Sequence, residues 1–178
     1  MTWILQLHDR IFARISAALG GWFLPTFARF IFAATLLMYF WKSAATKLGD
    51  GFGGLFALDP NGYVQIFPKA MEAVGYDPSQ LGFIYKLIAI AGTWAELILP
   101  LFIVLGLFTR LAALGMMGFV AVQTLVDVTG HGAKFGGWFN NQSGELIADQ
   151  RLFWYLLFAT LLIKGAGPIS LDRFCKTP

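Results

Sequence analysis

The chain has 178 residues, a single cysteine and a formal charge of +3. Hydrophobic residues make up 57% and charged ones 13%, against about 25% charged in an ordinary soluble domain. That balance argues against a soluble globular fold, and without a basic run there is nothing for nucleic acid to hold. Cys175 has no second cysteine for a disulfide or a Cys-x-x-Cys metal or redox motif.

The length suits one domain, and residues 1–178 read as a single all-α membrane domain. Residues 1–22 contain TWILQLHDRIFARISAAL, with Ile4, Leu7, Ile11, Ile15 and Leu19 on one helical stripe. His8, Asp9, Arg10 and Arg14 take the other faces, the pattern of an interfacial amphipathic helix. A secretory signal peptide would place its basic region ahead of a clean apolar core, so a retained helix is expected.

The first span is expected over residues 25–48. Pro25 suits a first helical turn, and FIFAATLLMYFW supplies the apolar body. Arg29 would reach back to the near interface, and Lys42 and Lys47 would approach the far one. A loop, Gly49–Gln80, follows. Its opening GDGFGG and later aromatics suit a segment folded over a bundle mouth, with a short helix after Pro68.

The second span, residues 81–108, contains LIAIAGTWAELILPLFIVLGLF with Glu96 as its only charge. About 20 apolar residues suffice to cross a bilayer as a helix. A carboxylate at that depth costs a few kcal/mol, roughly, and normally faces the bundle interior with a partner. Pro100 has no N–H for the carbonyl of Glu96, so two oxygens gather at one level. Glu96 is either a structural pin or a functional carboxylate.

The hairpin at Thr109 and Arg110 leads into a third span, residues 111–129. There Ala113, Gly115 and Gly118 would allow close helix approach. Arg110 is expected to hold the hairpin interface, on lipid phosphate or on exposed carbonyls of the second span. A second loop, His131–Asp149, precedes a fourth span over residues 147–166. Its apolar run LFWYLLFATLLI is short, so Arg151 and Lys164 are expected to snorkel at its ends.

Thr35, Tyr39, Lys42 and Thr46 share one face of the first span, and Gln123 and Asp127 share one face of the third. With Glu96 they predict a polar pocket in the outer half of a four-helix bundle, with Lys42 as the counter-ion of Glu96 or Asp127. A snorkelling anchor is the competing role for Lys42, and a plain helix-end carboxylate the one for Asp127. His8 and His131 fall at opposite sides of the membrane in this topology, so no metal site is expected. The adjacent Met116 and Met117 serve packing. Basic residues divide almost evenly between the two sides. Those ahead of the first span and in the Arg110 hairpin carry the orientation, which places both termini in the cytoplasm.

Three segments carry a family likeness: FWKSAATKL closing the first span, WAELILPLFIVLGLFTRLAAL through the second and its hairpin, and the terminal GPISLD. Over roughly residues 29–172 the chain resembles the DoxX family of small four-helix membrane proteins, although its two long loops depart from the more compact family pattern. The resemblance implies a subunit of the cytoplasmic (inner) membrane linked to redox systems. These include quinone-linked oxidation of thiosulfate or related sulfur compounds and thiol or oxidative-stress complexes, while other members accompany metal-responsive gene clusters. On that expectation the cofactor is a quinone, since the chain has no Cys or His set for a metal redox centre. Glu96, Lys42, Tyr39 and Gln123 would supply polar groups, with Trp94, Trp41 and Phe119 as walls. The alternative is a non-enzymatic assembly subunit of a larger membrane complex. In either case the partners are lipids and other membrane proteins, in a hetero-complex or a homo-oligomer. A transporter fits less well, because a single bundle without a repeat offers no rocking halves.

Overall fold

The computed structural model describes residues 2–174, which leaves Cys175 and Lys176 outside. Among these residues the fold is all-helical, with one isolated bridge between Leu48 and Leu58 and no strand. Helix α1 is Thr2–Leu19, exposed from Trp3 onward, and none of the described residues covers its apolar stripe. Helix α2 is Phe23–Ala45. Two short helices follow, α3 at Pro60–Ile66 and α4 at Pro68–Ala73, each with proline in its first turn, where the missing N–H is harmless. Helix α5 is Phe83–Leu105, α6 is Thr109–Thr129, α7 is Ala148–Lys164 and α8 is Leu171–Phe174.

Helices α2, α5 and α6 are long and apolar enough to cross a membrane. The expected fourth span corresponds to α7, which at 17 residues is shorter. Helix α2 packs on α5 and α7, and α6 packs on the same two, so the four close into a ring. Phe32, Leu36, Phe40, Ile103, Met116, Val120, Phe158 and Leu161 fill its centre.

After Pro25, the buried positions of α2 are Ala28, Phe32, Leu36, Phe40 and Ala44, one every four residues. In a regular helix a four-residue repeat drifts by about 40° per step. A π-helical turn at Ala33–Leu37, wider than an α turn, takes up much of that drift. It also re-aims everything beyond Leu37. The expected stripe Thr35–Tyr39–Lys42–Thr46 assumed a uniform pitch and is replaced by Tyr39, Ser43 and Lys47, which line one pocket.

The long loop does not merely cap the bundle. It folds back at Gly49 and Gly54, so close together that a Cβ on Gly54 would lie 1.9 Å from the Gly49 oxygen. Leu58, Tyr63, Met71 and Leu81 then form a second small core with Ala89 of α5. The first half of α5 therefore packs on the loop, and its second half on the bundle.

At the other end, α5 stops at Gly106 in the left-handed conformation, φ 67°. Leu107 N–H donates to Phe102 O and Gly106 N–H to Ile103 O, the Schellman pattern. Arg29 donates to the carbonyls of Ile103, Val104, Ala166 and Ile169. It thus fastens the end of α5 to the C-terminal segment rather than reaching the near interface. Arg110 is exposed beside Gly165, so of the two anchors expected for it, lipid phosphate or α5 carbonyls, the carbonyls of Ile103 and Val104 are taken by Arg29. Asp172 accepts from Phe108 N–H at 2.6 Å and Thr109 N–H at 3.0 Å, satisfying open donors at the start of α6. The GPISLD segment is a clasp across the α5–α6 hairpin.

Candidate ligand pocket

A cavity of about 620 Å³ runs from the loop end to the middle of the bundle, well within the usual range for small-molecule sites. It is bounded by α2, α5, α6 and the loop helix α3. Glu96, past the midpoint of α5, forms part of its wall and is 3% exposed. Its partner is Lys47, 6% exposed, not Lys42. Lys47 Nζ donates to Glu96 Oε2 at 2.7 Å and Oε1 at 3.0 Å. It also donates to Ser43 Oγ at 2.7 Å, and Ser43 Oγ donates to Glu96 Oε1 at 3.2 Å. An ammonium has three donors, and here all of them are used.

Lys42 is exposed, and its ammonium has no hydrogen bond or ion pair among the described residues. The physical reason is the π turn: with the second half of α2 rotated, the lysine one residue before Ser43 faces outward. Lys47, two residues past the helix end, turns inward under the returning loop, where Asp59 N–H donates to its carbonyl at 3.0 Å. Ser43 was not singled out from the sequence and Lys47 was expected at the far interface, although their four-residue spacing from Tyr39 matches the spacing of the buried apolar residues.

Tyr39 and Gln123 meet across the cavity, with Gln123 Nε2 donating to the tyrosine oxygen at 2.9 Å. Gln123 Oε1 is buried and has no partner among the described residues. Asp127 also lines the cavity, but it is ion-paired to Arg151 of α7. Arg151 additionally donates to Thr124 Oγ1 at 2.6 Å. It is 6% exposed and so does not snorkel at the helix end as expected, because the half-buried Asp127, two residues before the end of α6, draws it inward. A second cavity, about 580 Å³, lies beneath the 131–149 loop and shares Tyr39 and Asp127 with the first.

The aromatic walls differ from expectation. Phe119 lines the pocket. Trp94 is not among its lining residues: its indole donates to Leu55 O at 3.0 Å, and its ring packs on Phe56. The Trp41 indole donates to Leu97 O at 3.1 Å, beside the carbonyl that Pro100 leaves without a helical donor. Both tryptophans are side chains of outer helix faces that fasten neighbouring segments. At the mouth, the His131 ring contacts Gln65 O at 2.9 Å, and Gln65 bonds Thr46. No group of three or more potential metal ligands occurs among the described residues.

An apolar helical bundle with a buried ion pair at the wall of an internal cavity defines a helical integral membrane protein with a candidate ligand site. The DoxX family model matches residues 24–132, more than half of the chain, and the chain belongs to the DoxX family. The match takes in α2, α5 and α6 with Lys47 and Glu96, and ends before α7 and the GPISLD clasp. No curated protein and no solved structure matches the chain.

Proposed function

We propose that this DoxX protein is a redox-associated subunit of the inner membrane that holds a quinone head group in the 620 Å³ pocket. The observation that carries this reading is the polar set converging on an otherwise apolar cavity: Tyr39, Gln123 and the Lys47–Ser43–Glu96 cluster. Tyr39 accepts from Gln123 Nε2, so its own O–H is available to a quinone carbonyl. Gln123 Oε1, buried without a partner among the described residues, suits a hydroxyl of the reduced form. These are complementary donor and acceptor positions for one head group in its two states. A bound quinone would supply two-electron chemistry, and Glu96 with Lys47 would hold a proton close to the site.

In this reading α7 is a fourth span, α1 lies in the interface, and both termini are cytoplasmic. The two long loops then face outward, and the pocket opens toward them. A second reading has one observation in its favour: every donor of Lys47 is already taken by Glu96 and Ser43. A fully satisfied pair of that kind is what a packing pin in an assembly subunit requires.

The two readings separate on Glu96→Gln, which keeps shape and removes the charge. Protein purified in mild detergent should carry quinone by native mass spectrometry, and the variant, although destabilised by the unpaired Lys47, should still assemble while losing it. A variant that assembles, retains quinone and supports the parent redox pathway at the wild-type rate leaves Glu96 as a pin. Wild-type protein that never carries quinone and co-purifies with a larger complex favours the assembly subunit.

A further inference from the structure

The pocket is longer than its polar cluster requires. Along α5 its lining runs from Ile88 to Leu99, and along α6 from Gly115 to Asp127. Each stretch is at least about 16 Å at 1.5 Å per residue. Ile88 is 48% exposed and Val122 60%, and Ala91 and Gly118 are exposed as well. The cavity therefore opens sideways between two membrane-spanning helices, in addition to its mouth under the loops.

Two glycines shape that side opening. A Cβ at Gly115 would come within 3.1 Å of Leu99, so Gly115 serves helix packing. At Gly92 or Gly118 a Cβ would meet nothing within 4 Å. Glycine disfavours a helix relative to nearly every other residue, and no contact among the described residues calls for it at these two positions. What their missing side chains leave is open space along the slot.

We propose that this lateral slot seats the apolar tail of the ligand, so that the protein takes a long-tailed quinone from the bilayer rather than a free head group. The inference rests on the quinone reading of the pocket. The slot runs parallel to helices that cross the membrane, the direction in which lipid chains lie, and it leads to Tyr39 and Gln123 at its polar side. A phospholipid fits less well, because its phosphate would need a free cationic donor and Lys47 has spent its own on Glu96 and Ser43. A helix from a second copy, about 10 Å across, would cover the opening without filling the cavity behind it and would leave Gln123 Oε1 unpartnered.

The test uses the full chain in phosphatidylcholine nanodiscs with two probes, a decyl-tailed benzoquinone and the same ring without a tail. Gly92→Leu and Gly118→Leu each put a side chain into the slot. Leucine favours a helix over glycine, and its Cβ meets nothing within 4 Å at either position, so both variants should keep the wild-type thermal midpoint or exceed it. Affinity for the tailed probe should fall about tenfold or more, an overpacking penalty expressed as a binding ratio. Affinity for the tailless probe should change by less than about twofold.

Unchanged tailed binding in both variants overturns the proposal. If Gln123→Leu meanwhile abolishes binding of both probes, the head-group site stands and only the tail path fails. Equal loss of both probes in the leucine variants also overturns it, since the side chains would then be disturbing the head site. So does a phospholipid that native mass spectrometry finds in the slot and the tailed quinone fails to displace. A changed oligomeric state in the leucine variants assigns the face to a second copy. Wild-type protein that binds neither probe removes the quinone reading and the tail slot together.

Discussion

At the scale of single residues, the decisive fact is which lysine reaches Glu96. Removing one member of a buried ion pair strands the other, at a cost of about 3–5 kcal/mol. Lys47→Met should therefore destabilise strongly, whereas Lys42→Met, at an exposed site without a partner, should change stability by no more than about 0.5 kcal/mol. Reversible unfolding in mixed micelles would measure both, and similar costs for the two lysines would mean the pairing is misassigned. The double change Lys47→Met with Glu96→Leu should recover much of the loss, because apolar replacement of a whole buried pair is often neutral or better. Arg151 offers a parallel case. Its two terminal nitrogens serve different partners, Asp127 and Thr124, and a lysine cannot reproduce that planar fork. Arg151→Lys should cost about 1–3 kcal/mol by leaving one buried acceptor or donor unmet, and unfolding equal to wild type would show the fork to be dispensable.

At the scale of elements, the π turn in α2 decides what the pocket contains. A π turn is an α-helix carrying one extra residue, so deleting Ala34 inside Ala33–Leu37 should restore regular pitch with both halves still aimed as before. Deleting Ala45, beyond the turn, should instead rotate Lys47 by about 100° away from Glu96. The second deletion is expected to unfold as readily as Lys47→Met and the first far less so. If the Ala34 deletion is the more damaging, the turn does more than set register. The α5–α6 hairpin makes a separate prediction. Asp172 satisfies two backbone donors at the start of α6, the task of a cap, and its loss should cost about 1–2 kcal/mol. Asp172→Ala should lower the unfolding midpoint and leave affinity in the distant pocket unchanged. A selective loss of ligand with normal stability would move the functional site to the hairpin end.

At the scale of the whole molecule, orientation decides which side the pocket faces. Both long loops lie at one end of the ring and the Arg29–Asp172 clasp at the other, so one labelling experiment settles all of them together. A cysteine placed near Asp59 should react with an impermeant reagent from outside, and native Cys175 only after permeabilisation. The reverse pattern turns the pocket toward the cytoplasm and leaves its internal geometry untouched. Labelling of both positions from the same side would mean that α7 does not cross the membrane, leaving three spans.

How much of this was legible in advance follows from what is local and what is not. Composition and unbroken apolar runs are local properties, so the helical membrane class, the three long spans and the family likeness were readable directly. The isolation of Glu96 within an apolar run likewise required a partner of some kind. The partner's identity was not local. Lys42 and Lys47 are both lysines near the end of one helix, and choosing between them needed the π turn and the loop that folds Lys47 back toward α5. A single wide turn re-aims every later side chain, and a regular-pitch reading cannot detect it. Trp94, Arg29 and Arg151 were misplaced for the same reason: their side chains bond to backbone or acid groups far away in sequence, and only the packed bundle brings those groups within reach.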